Sequence, residues 1–136
     1  MLEHQTQIRV YYADTDAQGI VYHANYLKFF ELARTESLRS IGIELPKFIE
    51  EYGVQFAVVE ITIKFHKPAR LDDQLQIVSK ISHIGRASIH YQQSIYFAGQ
   101  NKDLVCSADV RLVTVNKQMQ PQAVPDALRK GILNDH

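Results

Sequence analysis

Residues 75–112 read LQIVSKISHIGRASIHYQQSIYFAGQNKDLVCSADVRL. Leu75, Ile77 and Ile81 alternate with polar neighbours, and so do Ala87, Ile89, Tyr91, Ile95 and Phe97. Leu104, Cys106, Ala108, Val110 and Leu112 repeat the pattern once more. A period of two is that of a β-strand with one buried face. Ile84-Gly85-Arg86 and the hairpin turn Gly99-Gln100-Asn101-Lys102 separate the runs. Just upstream, Val59, Ile61, Ile63 and Phe65 alternate with Glu60, Thr62, Lys64 and His66 until Pro68 stops the run. Four consecutive antiparallel strands, read as a meander, therefore fill residues 54–115.

Before residue 54 the period changes. A short strand, about Gln5 to Tyr12, alternates Ile8, Val10 and Tyr12 with Arg9 and Tyr11. A polar loop follows, Ala13 to Gly19. From His23 to Ile41 the apolar spacing approaches 3.6, with Leu27, Phe30, Leu38 and Ile41 on one side and Ala24, Ala33 and Arg34 between them. Gly42 stands where a helix-ending glycine belongs. Glu31/Arg34 and Glu36/Arg39 are i,i+3 pairs expected to face solvent or polar neighbours. Shorter helices are expected from Pro46 to Tyr52, closed by Gly53, and from Pro125 to Lys130. Helices placed before a run of strands, instead of alternating with them, argue for an α+β fold in which the long helix packs on one face of the antiparallel sheet. The four prolines fall between patterned segments, so residues 1–136 are expected to form a single domain.

Composition narrows the function. Of 136 residues, 46% are hydrophobic and 22% charged, which excludes a disordered chain or a coiled coil. Fifteen basic residues balance fifteen acidic ones, so no overall charge draws the chain to nucleic acid or membrane. No segment approaches the ~18 apolar residues of a membrane span, the first ten residues lack a leader pattern, and the cytoplasm is the expected compartment. The lone cysteine, Cys106, lies in an apolar run and reads as a buried small hydrophobe.

The chemistry concentrates in residues 11–26, YYADTDAQGIVYHANY. This segment straddles a loop and the start of the long helix, where unpaired backbone N–H groups and dipole density favour an oxyanion. A loop carboxylate beside such a site can act as nucleophile or general base. By residue type alone, Asp14 or Asp16 can equally cap a turn, His23 can pack or cap, and Tyr22 and Tyr26 can be core aromatics. The Asp-x-Asp spacing of metal-dependent phosphatases fits poorly, because strands and helices do not alternate. His23 has no metal-ligand partner at i+3 or i+4.

Residues 9–36, RVYYADTDAQGIVYHANYLKFFELARTE, together with KPARLDD at 67–73, resemble the hotdog-fold acyl-CoA thioesterases. The likeness is to their YbgC (Tol-Pal-associated) and 4-hydroxybenzoyl-CoA thioesterase branch, and it covers nearly the whole chain. It implies a long central helix wrapped by a five-stranded antiparallel sheet, and hydrolysis of an acyl-CoA thioester without metal or cofactor. Carried over by position, Asp16 matches the catalytic carboxylate, His23 the accompanying histidine, and Tyr12 a tyrosine near the reacting carbonyl. Gln18 departs from the small residue usual at its position. The N-terminal turn of the long helix is the candidate oxyanion hole. Arg70 and Arg86 are candidates for the phosphates of coenzyme A, with solvent-exposed turn arginines as the alternative. The resemblance further implies a homo-oligomer, dimer or homotetramer, with sites at subunit junctions. A non-catalytic acyl-thioester-binding module, a hotdog dehydratase and an ancillary enzyme of an envelope or phospholipid-related complex are the competing readings.

Overall fold

The computed structural model describes residues 1–99 and 101–134. Gln100, within the turn expected at 99–102, lies outside the described residues. Strand β1 (Glu3–Arg9) leads through a short 3₁₀ turn (Tyr12–Asp14) to the long helix α1 (Asn25–Ser40) and the short helix α2 (Leu45–Tyr52). Strands β2 (Gln55–Phe65), β3 (Gln74–Ile84), β4 (Ser88–Phe97) and β5 (Leu104–Val115) follow, and α3 (Asp126–Asn134) is the last element among the described residues.

All five strands join one antiparallel sheet, in the order β1-β3-β4-β5-β2. The long helix and five-stranded sheet are as expected, but the strands are not a simple meander. Strand β2 pairs with β5, with Ile61 opposite Val110, so residues 66–73 carry the chain from that edge back across the sheet to β3. Alternation reports which face a residue occupies, not which strand it neighbours.

The inner face carries the expected alternation. Leu75, Ile77, Ile81, Ile89, Tyr91, Ile95, Cys106, Ala108, Val110 and Leu112 are all buried. Against them α1 buries Tyr26, Phe29, Phe30, Ala33 and Leu38, and Ala33 permits close approach because it carries only a methyl. One expectation for α1 fails: Leu27 is exposed, because the buried stripe is rotated toward Tyr26 and Phe29. Of the two environments expected for Arg34, it takes the polar neighbour and not solvent: it turns inward, and its Nη1 donates to Gln93 Oε1 at 3.0 Å. Gln93 occupies an inward position of β4 among apolar neighbours and also donates to the Phe30 carbonyl and Ser79 Oγ, while Ser37 and Tyr91 share a hydroxyl bond at 2.8 Å. These polar pairs fix the height and rotation of the helix on the sheet, since a buried polar group is stable only when bonded. The Arg39–Glu36 pair does form on the surface, at 3.3 Å.

Gly42 (φ +85°) and Gly53 (φ +63°) end α1 and α2 in the left-handed region. No helix among the described residues is long and apolar enough to cross a membrane.

Candidate active site

The loop between β1 and α1 is fastened at both ends. Val10 exchanges backbone hydrogen bonds with the segment before β3: its N–H donates to Asp73 O, and Asp72 N–H donates to Val10 O. Further on, Thr15 bridges Val21 and Ile20 bridges Arg70, which folds residues 15–21 into a tight arch. Gly19 sits at the bend with φ +77°, a conformation that costs glycine little.

The two aspartates in this arch have different surroundings. Asp14 is 5% exposed. Its Oδ2 accepts from Tyr11 N–H at 2.9 Å and its Oδ1 from Lys28 Nζ at 2.8 Å. Its carbonyl accepts from Tyr22 N–H and from Asn25 Nδ2. Burial pushes the Asp14 carboxyl upward, but the Lys28 ammonium and the Tyr11 N–H outweigh it and hold the group below the usual carboxylate range. Asp14 is thus a clasp between loop and helix. Asp16 is half-buried, and only its Oδ1 is engaged, accepting from Gln18 N–H at 2.8 Å. Its Oδ2 has no hydrogen-bond partner among the described residues. Gln18 acts on Asp16 through its backbone, and its own side chain is exposed.

Helix α1 begins without a side-chain cap. The backbone N–H groups of His23 and Ala24 carry no hydrogen bond among the described residues. The His23 imidazole is exposed and lies against the Tyr22 ring at 4.6 Å and, edge-on, the Phe65 ring at 6.4 Å. No hydrogen bond joins it to Asp16. A cavity of about 270 Å³ opens here, lined by Ile20, Val21, His23, Tyr26, Phe65 and Pro68. Asp16 is one hydrogen bond away, through its N–H to Ile20 O at 2.9 Å. Tyr26 closes the base, its hydroxyl accepting from Ala69 N–H, and burial raises its pKa.

Other expected site residues lie further out. Tyr12 is 81% exposed and does not line this cavity. Arg70 flanks the arch by its bridge to Ile20, with its side chain exposed. Arg86 follows the opposite end of β3, about 33 Å along that strand at ~3.3 Å per residue. One chain therefore does not bring the two arginines to one ligand. Sequence reading missed Lys28, Phe65 and Ala69, which reach the site from the helix, the edge strand and the crossover. Only the tertiary fold brings them there. Among the described residues, no group of three or more His, Cys, Asp or Glu side chains is arranged to hold a metal ion.

The arrangement supplies a carboxylate with a free oxygen, unpaired N–H donors at a helix start, an imidazole and an adjoining apolar cavity. Residues 18–103 match the family model described as the thioesterase superfamily. The chain is 40% identical over 122 residues to the acyl-CoA thioester hydrolase YbgC of Escherichia coli O6:H1, covering 89% of each. It superposes on a probable thioesterase from Bartonella henselae with a TM-score of 0.85 at 34% identity, covering 90% of this chain and 99% of that one. It shares the fold of a 4-hydroxybenzoyl CoA thioesterase solved with 4-hydroxybenzoyl CoA, with a TM-score of 0.89 at 22% identity over 97% of this chain and 99% of that one.

Proposed function

The chain belongs to the thioesterase superfamily with its hotdog fold, and from that premise we propose how it works as an acyl-CoA thioester hydrolase, releasing a free acid and coenzyme A. The observation that carries the assignment of roles is the contrast between the two loop carboxylates. Asp14 is consumed by Lys28 and Tyr11, whereas Asp16 keeps one oxygen free in the arch that precedes α1. Asp16 is then the catalytic carboxylate. It either attacks the thioester carbonyl, giving a mixed anhydride that water cleaves, or takes a proton from the attacking water. In both routes the C–S bond breaks and coenzyme A leaves as a thiolate, a leaving group that needs no strong acid. The N–H groups of His23 and Ala24 receive the developing oxyanion, and one such donor is worth roughly 2.7–4 kcal/mol. The His23 imidazole borders the carbonyl or the water, and Tyr12, which lies outside the cavity of its own subunit, is proposed to meet the carbonyl at a subunit junction.

The enzyme is proposed to act as a homo-oligomer of single-domain subunits, a dimer or a homotetramer. Strand β2 is an open edge, and Val59 and Phe65 on it are 51% and 53% exposed, a surface that association would cover. Arg70 would meet the coenzyme A phosphates from the subunit that supplies Asp16, and Arg86 from a neighbouring copy. The lone buried thiol of Cys106 accords with the cytoplasm, a reducing compartment.

Thiol release from short-chain, long-chain and aromatic acyl-CoAs tests the reading. Turnover of at least one class by the wild-type protein, with a drop of roughly 10²–10⁴ when Asp16 becomes asparagine, is the expected outcome. A folded protein that hydrolyses none of them overturns it.

A further inference from the structure

The arch that carries Asp16 is held between two turns built alike. In the first, Asp14 N–H donates to Tyr11 O and Tyr11 N–H donates to Asp14 Oδ2, both at 2.9 Å. In the second, which lies in the crossover between β2 and β3, Asp73 N–H donates to Arg70 O at 3.0 Å and Arg70 N–H donates to Asp73 Oδ2 at 2.8 Å. Reciprocal bonds of this kind satisfy both ends of a four-residue turn and fix its shape. The second turn needs that closure, because its backbone is strained. Asp72 has φ +70°, and Leu71 before it does not share the positive sign. That is the third position of a type II turn, which ordinarily takes glycine. Arg9 Nη1 holds Asp72 there, donating to its carbonyl at 2.8 Å and to its Oδ1 at 3.3 Å. Strain persists only where surrounding contacts over-determine it.

Two chains of hydrogen bonds run from this turn to Asp16. Leu71 N–H donates to Gly19 O at 3.3 Å, and Gly19 N–H donates to Asp16 O at 3.0 Å. Ala69 O, one residue before the turn, accepts from Val21 N–H at 2.9 Å, and Ile20 O accepts from Asp16 N–H at 2.9 Å. Both backbone polar groups of Asp16 are therefore bonded to the stretch that the crossover grips. The Asp16 carboxylate itself has one fixed contact, Gln18 N–H, which belongs to the same arch. Its position thus follows the arch, and the arch follows the crossover turn.

We infer that Asp73 is a positioning residue for the hydrolysis: its carboxylate closes the turn at 70–73, and that turn sets where the arch presents the Asp16 carboxylate to the thioester carbonyl or the attacking water. Asp73 touches no reacting atom, and its role rests on the one proposed for Asp16. What the turn asks of Asp73 is a hydrogen-bond acceptor for Arg70 N–H. Asparagine supplies one, a serine hydroxyl supplies a weaker one, and alanine supplies none.

The test is kcat/KM for the best acyl-CoA substrate in the full chain, with thermal melts on the same samples. Asp73→Asn, Asp73→Ser and Asp73→Ala are each measured alone and combined with Asp16→Asn. Asp73→Ala loses at least roughly tenfold, because small displacements of a catalytic group cost up to ~10²-fold. Asp73→Ser loses about three- to tenfold, and Asp73→Asn stays within roughly threefold of the wild type. In the Asp16→Asn background no catalytic carboxylate remains to be placed, so the same substitutions cost less than about twofold. A turn that only stabilises the fold, or only presents Arg70 to coenzyme A, costs as much in that background as in the wild type, and this result overturns the inference. So does wild-type kcat/KM in Asp73→Ala, or an asparagine variant as impaired as the alanine one. If Asp73→Ala unfolds below the assay temperature, Asp73→Ser carries the same comparison. Wild-type kcat/KM in Asp16→Asn alone refutes the role of Asp16 itself, and that of Asp73 with it.

Discussion

Replacing Asp14 by alanine and Asp16 by asparagine, two residues apart, should damage different properties. Asp14→Ala removes the acceptor of the Tyr11 N–H and strands a partly buried donor, at a cost of about 1–3 kcal/mol. It also removes the partner of Lys28, whose side chain is 58% exposed, so that ion pair adds at most about 1 kcal/mol. Together the loss is about 1–4 kcal/mol, which lowers the melting temperature by roughly 4–14 °C in a chain of this size. Asp16→Asn keeps an acceptor for Gln18 N–H, so stability should change by less than about 0.5 kcal/mol while turnover collapses. Thermal melts by circular dichroism, paired with thiol-release assays on the same preparations, separate the two effects. The reasoning is refuted if Asp14→Ala melts with the wild type, or if Asp16→Asn melts as early as Asp14→Ala. The pH dependence adds a second check. The Asp14 carboxyl is lowered in the folded state, so its stabilisation is present above the ordinary aspartate range and is lost as pH falls through the folded value. The stability gap between wild type and Asp14→Ala should therefore shrink on acidification.

Three further predictions concern the rest of the fold. Gln93→Leu removes the only hydrogen-bond partner of the Arg34 guanidinium among the described residues and should cost about 1–3 kcal/mol in urea titrations; an unchanged midpoint would show that the pair does not anchor α1. The Cys106 thiol, pushed up to about 12 by burial, should resist a disulfide reagent at pH 8 in the native protein and react quickly once denatured, whereas rapid native labelling would contradict its burial. Val59→Lys on the open edge of β2 should lower the oligomeric mass in light scattering without lowering the melting temperature of the subunit, and an unchanged mass would place the subunit interface elsewhere.

Much of this fold was legible because period and burial coincide. The runs from Leu75 to Leu112 alternate in sequence and alternate in burial, and the long helix expected at 23–41 spans 25–40. Two features were not legible. The pairing of β2 with β5 depends on where the crossover at 66–73 leads, and neither alternation nor turn residues encode that. The inward turn of Arg34 depends on Gln93, fifty-nine residues later, whose amide makes a buried cation tolerable. At the candidate site, the D-T-D spacing singled out the two carboxylates but did not separate them by local sequence. Lys28, fourteen residues after Asp14, separates them by occupying one and leaving the other free.

The central claim is that Asp16 carries the hydrolysis, and the most direct test is kcat/KM for the best acyl-CoA substrate, measured for wild type and Asp16→Asn at matched melting temperature and oligomeric mass. A loss of at least roughly a hundredfold is predicted. A variant that retains wild-type kcat/KM contradicts the account.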